Sequence, residues 1–330
     1  MKRKMKRLGS LLLTFVLGLS LCACGNKEKK TETVEFTVAC ATWVGNGMFF
    51  LAKEKGYFEK YGLEVNIKII DDESTYASLL GSEQIDAVAR ASDQDVINFA
   101  SGIEEKCVMS YDQSYGGDGI IVSEDIQSVA DLKGKTVAVA KSTTSYFFLL
   151  TVLEDAGVSE EDLIINDMDA DSAGTAFVQG EVDAAVTWEP WLSNAGEREG
   201  GHLLCSSADY PNTIVDSLFV TDAFLDAHPQ AVKDIIKAEQ EALDWYNDGN
   251  QEEGNKIMAE ALGIELADFE AQIEGVSWYD AATMKAFFDE NAEDSIYTLE
   301  ERAMNLWLER GLISEPFDIK DFVTSEYVNE

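Results

Sequence analysis

Leu79-Leu-Gly-Ser-Glu-Gln-Ile-Asp86-Ala-Val-Ala89 and Phe177-Val-Gln-Gly-Glu-Val-Asp183-Ala-Ala-Val186 follow one plan. In each, a helix ends in a glycine-containing turn and an aspartate opens a short run of small and apolar residues. Such a run reads as a strand buried on both faces, and that requires helices packed above and below it. Two copies of the plan in one chain point to two similar α/β lobes, the material of a hinged clamp.

The flanking sequence extends both units. Strands are expected over residues 36–40, 63–70, 86–89 and 107–111, with helices over 47–60, 74–80 and 92–101 between them. A run at 119–122 leads away, and the second unit follows with strands at 136–140, 163–166 and 182–187. β-rich runs that alternate with helices are the mark of a largely parallel sheet. From Thr221 the chain reads as almost wholly helical, with Pro229 in a first turn and Thr298 with Glu301 as a capping box.

The N-terminus carries a different signal. Lys2, Arg3, Lys4, Lys6 and Arg7 precede an uncharged apolar stretch over residues 8–21. A basic start before a short apolar core reads as a secretory signal, too short for the roughly 20 residues of a membrane span. Leu21-Cys22-Ala23-Cys24 ends it in the manner of a bacterial lipobox, which makes residues 1–23 the signal and Cys24 the acylated first residue. The polar segment from Cys24 to residue 33 reads as a solvated tether. Several buried acyl chains hold a protein firmly, at about 0.8 kcal/mol per methylene. The expected location is therefore the outer face of the cytoplasmic membrane.

Charge excludes several functions. The chain has 25 basic and 62 acidic residues, a net charge of −37; loss of the five N-terminal cations leaves 20 against 62, or −42. A surface this acidic repels nucleic acid and anionic headgroups. Beyond Cys24 the remaining cysteines, Cys40, Cys107 and Cys205, are scattered without zinc-type spacing, and only His202 and His228 are available for imidazole chemistry. No metal or cofactor is expected, and no G-x-S-x-G elbow or phosphate loop suggests an enzyme.

Ala52-Lys-Glu-Lys-Gly-Tyr-Phe-Glu-Lys-Tyr-Gly-Leu-Glu-Val65, with Gly180-Glu-Val-Asp-Ala-Ala185 and Trp188-Glu-Pro-Trp191, resembles the nitrate/sulfonate/taurine-type substrate-binding proteins of ABC importers, a group that includes thiamine-precursor binders. The resemblance implies an α/β, type II periplasmic-binding-protein fold with two crossover strands. On this chain it implies lobe one over 34–119, lobe two over 120–216, and a return to lobe one with C-terminal helices over 217–330. It also implies a monomer whose partners are a small-molecule ligand and a permease with its ATPase. Enzymes that make pyrimidines or thiamine precursors resemble the same architecture, and a surface ligand sensor is a further alternative.

In open α/β sheets, ligands bind at the C-terminal ends of strands, where helix N-termini offer free N–H groups. Trp43, Asn46 and Gly47 follow the first strand, Ser92 follows the third, and Ser142, Thr143 and Thr144 form a hydroxyl-rich turn in lobe two. That turn is a candidate cradle for an anion or a polar oxygen. Asp112, Ser114 and Asp118 lie near the first crossover, Glu189 sits inside the Trp-Glu-Pro-Trp motif, and Asp216 lies at the return crossover. If several of these acids line the cleft they favour an amine-bearing ligand, with tryptophan faces adding cation–π attraction.

Overall fold

The structure is a computed structural model that describes residues 33–329. The expected signal over residues 1–23, the expected acylation site Cys24 and all of the expected tether except Thr33 lie outside the described residues.

Among the described residues, eleven strands form two mixed sheets. The first contains β1 (Val34–Cys40), β2 (Leu63–Ile69), β3 (Ala87–Ala91) and β4 (Glu105–Ser114). The second contains β5 (Asp118–Ser123), β6 (Thr136–Val139), β7 (Ile164–Asp167), β8 (Ala184–Trp188) and β9 (Gly201–Ser206). The chain then returns to the first sheet as β10 (Val215–Thr221) and β11 (Val276–Trp278). The spatial orders are β11-β4-β10-β3-β1-β2 and β7-β6-β8-β5-β9. Beyond β11 the orders match: a parallel trio in each sheet is followed by an antiparallel strand that the chain uses to cross.

The repeated aspartates have equivalent work. Asp86 Oδ2 accepts from the backbone N of Thr37 at 2.8 Å, and Asp183 Oδ2 accepts from the backbone N of Thr136 at 2.8 Å. Each carboxylate thus satisfies an amide on the middle strand of its parallel trio, β1 or β6, close to where the neighbouring β3 or β8 begins. Ala87, Val88, Ala184 and Val186 behind them are fully buried, as the strand-on-both-faces reading requires.

The chain changes sheets between Ser114 and Asp118, and again between Ser206 and Val215. The first passage is tight. A Cβ on Gly117 would lie 2.8 Å from the Trp43 ring and 3.1 Å from Gly275 O, and Tyr115 N donates to that same carbonyl at 2.8 Å. A glycine is needed here for close backbone approach rather than for an unusual φ.

Three features depart from the expectation. β11 interrupts the helices, because residues 276–278 complete the edge beside β4. β9, which the sequence reading left out, pairs with β5. The cap of helix Ile296–Glu309 is Ser295, whose Oγ accepts from Thr298 N at 3.3 Å, so Thr298 is its third-position partner rather than the cap.

Helix Ile296–Glu309 touches both lobes. The fully buried Trp307 donates its indole N–H to Asp93 O at 2.7 Å in the first lobe, and its ring lies 6.4 Å and 6.0 Å from Tyr146 and Phe147 of the second. Trp307→Ala empties this junction and is expected to destabilise the protein by about 3–5 kcal/mol. Urea unfolding checks it; a loss under about 1 kcal/mol shows that the helix does not anchor the lobes.

Candidate functional site

The C-terminal ends of β1, β3, β6 and β8 converge on a cavity of about 700 Å³ between the two sheets. Its walls come from both lobes, and its size lies within the roughly 300–1,000 Å³ of small-molecule sites.

Seven expected residues line it: Trp43, Asn46, Asp118, Ser142, Thr143, Thr144 and Asp216. Asn46 stiffens the loop after β1: its amide donates to Ala41 O at 3.0 Å and its carbonyl accepts from Tyr111 OH at 2.6 Å. Trp43 Nε1 donates to Asp112 Oδ1 at 3.4 Å. Asp112 stands behind the wall, fully buried, opposite Asp216 across the β4–β10 ladder. A Cβ on Gly45 would lie 1.9 Å from Asp112 Oδ2, so the glycine after Trp43-Val44 that makes room for the site is Gly45.

The structure gives the other expected residues different duties. Gly47 packs towards Met258, with a Cβ position 2.7 Å from its sulfur. Ser92 is the buried first residue of helix Ser92–Ala100 rather than its cap, and its hydroxyl faces the buried Glu300 carboxyl. Ser114 Oγ pairs with Ser207 Oγ at 2.8 Å and joins the two crossings. Glu189 accepts from Ser193 N at 3.1 Å and Ser193 Oγ at 2.7 Å in the first turn of helix Trp191–Gly196 and is not among the lining residues, although its charge reaches Asp118. The flanking Trp188 and Trp191 line the cavity instead.

The hydroxyl turn is also committed within the protein. Thr143 Oγ1 donates to Ala140 O at 2.6 Å, and Thr144 Oγ1 donates to Asp93 Oδ1 at 2.9 Å in the opposite lobe. Thr144 is therefore an inter-lobe contact as well as a wall residue. Ser142 has φ +67°, a left-handed turn that directs the chain into helix Thr144–Asp155.

The sequence patterns do not single out Arg90. It ends the apolar run of β3, lines the cavity, and is its only Lys or Arg among the described residues. Glu73 Oε2 holds its guanidinium at 2.7 Å, with Asp95 at 3.9 Å behind. A lone arginine at the end of a buried strand is the signal that would have found it.

Burial raises the carboxyls. Asp118 is pushed up to about 7 by desolvation, against a hydrogen bond from Ser114, and Asp93 to about 6 by desolvation, against hydrogen bonds from Gln94 and Thr144 and the Arg90 charge. Desolvation also raises Asp112, to about 7, and Asp216; the Asp112 carboxylate pushes Asp216 up further, whereas hydrogen bonds from Asp216 and Trp43 hold Asp112 back.

This clamp around an inter-lobe cavity defines a two-lobed binding-protein architecture, and comparison with known proteins agrees. The sequence profile of the NMT1/THI5 like family matches residues 46–252, and the chain belongs to that family. A Bacillus subtilis protein designated a candidate aliphatic sulfonates-binding protein is 25% identical over 286 residues, 85% of this chain and 83% of that protein. The periplasmic aliphatic sulphonate binding protein SsuA of Escherichia coli superposes with a TM-score of 0.74 at 20% identity, over 90% of this chain and 99% of that chain. The desulfurization enzyme DSZB shares the fold at a TM-score of 0.60 and 17% identity, over 90% and 98%. The fold is that of the periplasmic binding proteins.

An acid whose pKa is higher in the folded state than unfolded holds its proton more tightly when folded. The stability it contributes is complete below the unfolded value near 4 and is lost as pH rises through the folded value, about 7 for Asp118. The unliganded protein is thus expected to melt at lower temperature at pH 8 than at pH 5.5. Asp118→Asn is expected to flatten part of that slope and raise the pH 8 melting point by at least 2 °C. Melts of both proteins across this range check it, and a steeper slope in the variant contradicts it.

Proposed function

We propose that the protein is an extracytoplasmic solute-binding lipoprotein, anchored through Cys24, which encloses one small polar solute and presents it to the permease of an ABC importer. The observation that carries this reading is the cavity of about 700 Å³ walled by strand ends of both lobes. Two lobes that meet around one solute gain affinity only from contacts completed on closure, so the closed form reports that the ligand is aboard. The related Bacillus subtilis and Escherichia coli proteins carry names of the same class. The Leu21-to-Cys24 pattern supports the anchor. The protein acts as a monomer: one chain supplies both walls of the cavity.

The enzyme reading has less to work with. Burial pushes the thiols of Cys40 and Cys205 up to about 12 and raises that of Cys107 as well, so none is poised as a thiolate. His202 lies on β9 and His228 precedes the helix Pro229–Asn247, both away from the cavity wall. A sensor would share the clamp but not the importer.

Small-angle scattering of the protein mixed with fractionated small-molecule extract is expected to show compaction, with calorimetry giving one molecule per chain and mass spectrometry recovering it unchanged. Recovery of a converted product favours the enzyme reading, and absence of binding and compaction in every fraction defeats the solute-binding one. Cys24→Ser is expected to free the protein from membranes or leave its signal uncleaved; normal maturation and retention defeat the anchor.

A further inference from the structure

We propose that the solute is an organic cation, a molecule whose protonated nitrogen sits between Asp118 and Asp216 and against the faces of Trp43, Trp188 and Trp191. This deepens the solute-binding reading and rests on it.

The wall carries six acids, Asp71, Glu73, Asp118, Asp169, Asp171 and Asp216, against the single cation Arg90. Several of these charges already have partners. Asp71 accepts from Thr42 N, Asp169 caps its own helix, and Glu73 holds Arg90. The two at the cavity floor have none of opposite charge. Asp118 and Asp216 are only 7% and 6% exposed, yet among the described residues no Lys, Arg or His pairs with either, and no backbone N–H donates to either carboxyl. The Ser114 hydroxyl faces Asp118, and the carboxyl of Asp112 faces Asp216. Asp112 Oδ2 is itself buried without a hydrogen-bond partner. Three carboxyls gathered out of water without a cation are held protonated or wait for a positive group from outside.

The aromatic groups suit the same occupant. Trp43 and Trp188 meet edge to face across the two lobes at 6.2 Å, and Trp191 stands 6.3 Å from Trp188. Faces grouped this way, beside carboxylates, recognise ammonium and amidinium groups through ring quadrupole and counter-charge together. The opposite assignment has no free cation to use among the described residues. A sulfonate is held best by charged donors, but Arg90, the one Lys or Arg of the wall, is already paired. Thr143 and Thr144 already donate to protein oxygens, which leaves the neutral hydroxyls of Ser142 and Ser145.

The test uses choline, putrescine, agmatine and benzamidine as cationic probes, with ethanesulfonate and butanesulfonate as anions of similar size. Calorimetric titration of the full soluble chain is expected to show binding of at least one cation, weakened tenfold or more in Asp216→Asn and in Asp118→Asn. Both substitutions are near-isosteric and relieve buried charge, and melting curves confirm that the variants fold. The proposal is overturned if none of the four cations binds, or if a sulfonate binds and does so as tightly or more tightly in Asp216→Asn. A sulfonate that binds and compacts the protein removes the cation and leaves the solute-binding reading in place.

Discussion

The cleft depends on one antiparallel ladder. β4 leaves the first lobe and β10 returns to it, side by side, so both passages of the chain share a single hydrogen-bonded seam. The fully buried hydroxyls of Ser110 and Ser217 meet at 2.8 Å within it. The register shifts between Asp216 and Ser217, which face Asp112 and Ser110, so Tyr111 is an extra residue on β4. Such a bulge re-aims side chains next to a site. Here it sends the Tyr111 hydroxyl to Asn46, while Asp112 faces Trp43 and Asp216. A one-residue slip would turn those side chains to the wrong face, and the buried surroundings forbid it. The loop after β1 and the floor of the cavity are thereby fixed to the same two strands that any lobe movement must bend.

A third connection limits that movement. The lobes are joined by the two crossings and also by helix Ile296–Glu309 through Trp307. Around it, Arg302 pairs with Glu154 at 2.8 Å and Arg310 with Glu160 at 3.1 Å. Ion pairs this exposed contribute about 0–1 kcal/mol and break easily, whereas exposing the buried indole costs several times more. A rotation that keeps Trp307 covered and exchanges the ion pairs is the inexpensive route. It places the pivot near the Asp93–Trp307–Phe147 junction, with the cavity mouth as the part that opens.

What the sequence disclosed follows from which interactions are local. Buried strands, their glycine turns and the paired Asp86 and Asp183 are features of contiguous residues, so the two-lobed α/β plan was legible. The Glu189–Ser193 pair is nearly so, being four residues apart, and the tryptophans on either side of Glu189 line the cavity. Thr144 and Asp93 are 51 residues apart, and Trp307 and Asp93 lie 214 apart. No periodicity encodes such pairs. The hydroxyl turn therefore read as free donors when the fold had already used two of them. The residues that line a cavity are those whose local needs are met elsewhere or not at all, and that property exists only once the chain has closed on itself.

The chain's net charge of −37 gives the cleft its setting without explaining its selectivity. Field from distant surface charges fades over about 8 Å at physiological salt, so the bulk of the acidic surface acts mainly on solubility and the first approach of a charged solute. Inside the cavity, screening is weaker and the walls have a low dielectric, so a carboxylate there outweighs many outside. Leaving Asp112, Asp118 and Asp216 unpaired by protein cations costs the unliganded fold stability, and that cost lessens when a positive group enters. An arginine in the floor would make a steadier protein with nothing to attract. The acids at the crossing strands instead keep binding and stability in opposition, which is what a carrier that must hold its cargo and then give it up requires.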